Sequence, residues 1–109
     1  MKMDYDIIEN LASLAPEIPK DSIVSRTFHE DDRLKVILFG FAEGQELSEH
    51  TASQPAMLQF LEGEATLILG ADEHQAQAGT WVHLPARLSH SVKARTQTLM
   101  LLTLYKDLQ

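Results

Sequence analysis

Five histidines and no cysteine define the side-chain chemistry open to this 109-residue chain. Imidazole serves as a general acid–base, as a hydrogen-bond donor and acceptor, and as a ligand for divalent metals. The absence of thiols excludes disulfides, zinc–thiolate centres, iron–sulfur clusters and cysteine nucleophiles. His29 and His74 lie beside acidic turns and read as surface residues. The other three fall in two segments punctuated by glycine. The first runs from Gly44 to Gly63 and contains His50. The second, Gly79-Thr-Trp-Val-His83-Leu-Pro85-Ala-Arg87-Leu-Ser-His90, contains both of the others. No Ser-His-Asp nucleophile motif, phosphate-cradling glycine loop or nucleotide fingerprint accompanies them.

Short strands must position these residues. Segments 22–29 and 34–41 carry β-branched and aromatic residues, and further short segments follow at regular spacing: 46–51, 57–62, 65–69, 74–77, 81–84, 91–94 and 99–105. They are separated by turn signals such as Gly44, Pro55, Gly63, Gly70, Gly79 and Pro85. Many short strands with frequent turns and no helical alternation predict a sandwich or barrel and argue against a parallel α/β sheet. Residues 4–14 differ. Ile7, Ile8, Leu11 and Leu14 recur at helical spacing, Asp6 with Glu9 resembles a capping box, and Pro16 and Pro19 end the segment. A short N-terminal helix is expected there. Phe39, Phe41, Phe60, Trp81 and the run 99–104 are expected in the core.

The formal charge of −7 and a pI near 5.0, with no basic stretch, disfavour nucleic acid and anionic membrane as partners. No apolar run approaches a membrane span and the first residues lack the pattern of a secretory signal, so a cytoplasmic protein is expected.

The two glycine-bounded segments resemble the paired motifs of the cupin superfamily. Gly44, His50 and Gly63 match the first motif at its spacings. Gly79, Pro85 and His90 match the second. The resemblance covers about residues 34–105. It implies an all-β, antiparallel jelly-roll (double-stranded β-helix) barrel, residues 21–109, preceded by an arm or short helix over residues 1–20. It also implies that His50 and His90 line an interior pocket and ligate a divalent metal: iron, manganese, nickel, copper or zinc.

Four positions depart from the family pattern. Ala52 replaces the second histidine of the first motif and Ala56 its glutamate. Arg87 stands where the second motif has glycine, and Ala94 where it has asparagine. A His-x-His pair would place two imidazoles on one face of a strand; here one is missing. His83 is the candidate third ligand, because the strand leading into the Pro85 turn could return past His90. Gln59 is the neutral pocket candidate, a lone amide in an apolar strand. For both, a bend or bulge decides which face they occupy.

Three readings follow: a small-molecule-binding protein with a histidine-lined pocket, with or without a metal; a metal-dependent enzyme of dioxygenase or isomerase type using His50, His83 and His90; or a structural module. The residues leave open whether the chain is catalytic. A homodimer is expected, with 22–29 and 99–105 as apolar contact candidates.

Overall fold

The computed structural model describes residues 4–106, and of Glu49 and His50 the backbone alone. Among the described residues there are nine strands: β1 (Ile23–Glu30), β2 (Leu34–Phe41), β3 (Glu46–His50), β4 (Ala56–Glu62), β5 (Glu64–Leu69), β6 (Asp72–Gln77), β7 (Trp81–Leu84), β8 (His90–Ala94) and β9 (Thr98–Tyr105). They form two antiparallel sheets in the orders β1-β2-β9-β4-β7 and β3-β8-β5-β6. This is the expected jelly-roll barrel. No helix of the described residues is long and apolar enough to cross a membrane.

Strand parity builds the interior. On β4, Ala56, Leu58 and Phe60 are at most 4% exposed, while Gln59 between them is exposed. Their partners Leu104, Leu102 and Met100 on β9 face the same way, joined by Leu84 and Val82 on β7. Across the sandwich, Ala65 and Leu67 on β5 meet Val92 and Ala94 on β8 and Ala76 on β6. The interior is sealed at the end holding Phe41, Ala65 and Ala94, all 0% exposed. Toward the other end, Leu69, Leu88, Leu102 and Leu104 still pack on the core but are only partly covered. Burying each large apolar side chain contributes roughly 1.5–3 kcal/mol.

The turn at Gly63 joins β4 to β5 within a very small space. Its φ is +88°, and a β-carbon there would overlap the Gln97 carbonyl oxygen and the Thr98 backbone. Only glycine satisfies both demands without displacing the strand behind it.

The N-terminal segment is an arm rather than the expected helix. Its only helical element among the described residues is a 3-10 turn, Leu11–Leu14, capped by the Asn10 side chain, which accepts from the Ala12 amide at 3.1 Å. Asp6 caps nothing; its carboxylate bonds His29 on β1. The arm lies instead on the outer face of β1 and β2. The Leu14 carbonyl accepts from Arg26, and Ile18 sits where a side chain at Gly40 would be. Leu38, on the outer register beside Gly40, is fully buried outside the main core cluster. The continuous apolar run of β9 has the same explanation. Met100, Leu102 and Leu104 face the interior, while Leu99 and Leu101 face outward opposite Gly40 and Leu38 of β2.

Candidate functional site

His90 is the described histidine in the barrel interior. It opens β8, is 9% exposed, and pairs with Leu69 on one side and with the backbone of His50 on the other. The β3–β8 register slips between Leu47 and His50, so that His50, and not Glu49, stands opposite His90. The bulge brings the two backbones opposite one another; the His50 side chain lies outside the described residues.

The His90 ring is oriented by the main chain. Its Nδ1 lies 2.9 Å from the Leu88 carbonyl oxygen, which can only accept. Nδ1 is therefore the donor in this contact. Leu88 closes the turn that begins at Pro85: its amide donates to the Pro85 carbonyl at 3.2 Å. Arg87 adopts φ +70° in this turn, the left-handed conformation for which glycine is the usual residue. The Arg87 amide donates to the Ala52 carbonyl at 2.7 Å, fastening the turn to the loop after β3. The two motif segments are thus clasped beside the partly covered end of the interior. Ala56, at 4% exposure, contributes only a methyl group to that wall.

The expected third ligand is not there. His83 is exposed on β7 and pairs with Met57, on the face opposite to Val82 and Leu84, which pack inward. No bulge intervenes between Trp81 and Leu84 in the β4–β7 register, so parity counted from buried Leu84 puts His83 outside. Gln59 fails as a pocket residue for the same reason: it alternates with Leu58 and Phe60, and the Pro55 bend does not reset the strand. Trp81, expected in the core, is 59% exposed on that outer face. Among the described residues, no group of three or more His, Asp or Glu stands together to hold a metal. The positions that the motifs assign to ligands offer imidazoles at His50 and His90 and methyl groups at Ala52 and Ala56. This set falls short of the usual one, and a pair of imidazoles with no carboxylate holds a divalent ion only loosely.

The buried ring needs no second side chain to satisfy Nδ1. Sequence reasoning sought that partner in His83 or Gln59; it is a carbonyl two residues upstream, and no side-chain pattern announces it. His29 and His74 are surface residues, as expected. His29 is held between carboxylates, Asp31 at 2.8 Å from Nε2 and Asp6 at 3.3 Å from Nδ1. The hydrogen bond with Asp31 is the main reason its pKa is raised. Asp31 is in turn held down at about 2, chiefly by the Arg33 amide and then by His29 and the Leu34 amide.

No protein-family model and no curated protein matches the sequence. Solved structures do. A cupin superfamily protein from Desulfitobacterium hafniense is 24% identical, with 98% of this chain and 100% of that one covered and a TM-score of 0.85. An RmlC-like cupin from Desulfovibrio desulfuricans is 26% identical over 94% of this chain and 97% of the other, at a TM-score of 0.81. A cupin 2 conserved barrel domain protein from Leptotrichia buccalis is 31% identical over 89% of this chain, which spans 47% of that one, at 0.81. The same architecture reaches enzymes: a salicylate 1,2-dioxygenase from Pseudaminobacter salicylatoxidans superposes at 0.73 with 13% identity, over 85% of this chain and 29% of its own. With its two-sheet barrel, its two motif segments clasped at one end and these structural relatives, the chain is a member of the cupin superfamily.

Proposed function

We propose that the chain is a small-molecule-binding cupin whose pocket lies at the partly covered end of the barrel and is built on His90 with His50. The observation that carries this reading is the buried His90 ring, held by its Nδ1 against the Leu88 carbonyl oxygen where the two motif segments meet. An imidazole oriented by the main chain in this way supplies a fixed hydrogen-bonding group at that end of the barrel. Apolar walls with few, well-placed polar groups are the common make-up of small-ligand sites. The methyl groups of Ala52 and Ala56 leave room for a ligand where metal-binding cupins carry ligating side chains. Ligand-observed NMR of a fragment library tests this. Fragments that bind the wild-type protein should lose their signal with both His90→Ala and His50→Ala. Retention of every binder by both folded variants would refute the reading.

The second reading is a metal-dependent enzyme of dioxygenase or isomerase type. One observation favours it: metal-ligating histidines commonly donate their other ring nitrogen to a carbonyl or carboxylate, as His90 does. His50 and His90 would be the protein ligands, without His83. Elemental analysis of tag-free protein decides it. Stoichiometric iron, manganese, nickel, copper or zinc that disappears in His90→Ala supports this reading; metal-free wild-type protein rejects it.

The chain is further proposed to work as a cytoplasmic homodimer. Tyr5 and Ile7 on the arm are 83% and 75% exposed, large apolar surfaces that a two-fold contact would cover. Light scattering should give twice the 12.2 kDa chain mass; the single-chain mass at micromolar concentration would reject the dimer.

A further inference from the structure

Beyond the interior pocket, we propose that the groove between the free edges of β6 and β7 is a second binding site, for a planar aromatic carboxylate. β6 ends one sheet and β7 ends the other, so no further strand covers the opening between them. The groove measures about 340 Å³, within the range of small-ligand sites. Leu67 and Leu69 contribute its apolar lining from β5. Trp81 stands at its side with 59% of its surface in water, an indole on which an aromatic ring can stack. His74 and His83 line the same groove, one from each edge strand.

The polar lining selects for an anion. The chain carries 16 acidic residues, yet no carboxylate lines this groove. The two imidazoles in the lining each carry an N–H donor. The Thr80 hydroxyl, also in the lining, accepts from the Gln77 amide at 3.0 Å and keeps its proton to donate. Asp72 and Glu73 are the charged groups on the adjoining stretch of β6. Asp72 lies opposite Leu69 at the strand's start, and Glu73 accepts from Gln75 at 3.5 Å. Both limit the attraction for an anion without lining the groove.

The one tryptophan of the chain makes the test direct, because its fluorescence reports this groove alone. Titration with benzoate should change the emission saturably. Benzamide and cyclohexanecarboxylate, which lack the charge and the ring respectively, should bind about tenfold more weakly or worse. The exposed double substitution His74→Ala/His83→Ala should weaken benzoate by about tenfold with an unchanged circular dichroism spectrum. His90→Ala should leave the titration unaltered. A linear, unsaturable response, equal binding of the three probes, or indifference to the double substitution would overturn the proposal. So would loss of binding in His90→Ala, which would move the ligand to the interior pocket.

Discussion

His90 and His83 lie seven residues apart in one motif segment, yet one is buried in the barrel and the other stands in water. The immediate neighbours do not explain the difference: exposed His83 lies between Val82 and Leu84, and buried His90 between Ser89 and Ser91. The difference comes from strand parity on either side of the Pro85 turn. On β7 the inward positions are Val82 and Leu84, so His83 faces out. On β8 they are His90, Val92 and Ala94. The inward positions are even-numbered on both strands, so two histidines an odd number of residues apart fall on opposite faces.

That contrast can be broken most forcefully on β4, where neighbours of opposite parity sit side by side. Phe60 is 1% exposed and central to the core. Phe60→Ala should cost about 3–5 kcal/mol in urea denaturation. A loss under about 1 kcal/mol would mean that this face is not the interior. Gly63→Ala should rank next, at about 1–3 kcal/mol for the left-handed backbone, with the overlap onto Gln97 adding to it. Wild-type stability in this variant would contradict the turn geometry. Gln59→Ala, one residue from Phe60 on the outer face, should stay within about 0.5 kcal/mol; a larger loss would show that the amide has a buried partner.

A smaller effect separates the arm from the barrel. His29 has a pKa raised above 6.5, so its carboxylate contacts contribute fully below that pH and are lost as pH rises through the folded value. Asp31 has its pKa lowered from 3.8 to about 2, so its contribution is present above the ordinary value and lost as pH falls toward 2. Arm protection in hydrogen exchange, corrected for the intrinsic rate, should therefore peak between those limits and decline on both sides, while β4 and β9 stay protected. His29→Gln should flatten the alkaline decline. An arm whose protection rises through neutral pH would contradict the assignment.

Much of this architecture was legible in the residues. The strand segments and the paired motif glycines reflect period-two burial and left-handed turns, both local properties. The motif spacing led to the expectation that His50 and His90 line one pocket; the structure sets their backbones opposite one another across β3 and β8. What escaped were non-local facts. Trp81 is a large aromatic residue in an edge strand, and nothing in its neighbours says that no further element covers it. The arm has helical spacing, yet its apolar residues meet a sheet, and Asp6 finds His29 23 positions away instead of capping a helix. The partner of His90 is a main-chain carbonyl, which every residue possesses and no pattern marks.

His90 is buried at the proposed ligand pocket while His83 stays outside it, and on this difference the functional reading rests. Long-range ¹H–¹⁵N spectra of the imidazoles test it most directly, recorded with and without a fragment whose binding is lost in His90→Ala. The expected result is a single neutral tautomer for His90 with the proton on Nδ1, a fragment-induced shift at its Nε2, and no response at His83. Averaged tautomers at His90, or a shift at His83 with His90 unmoved, would contradict it.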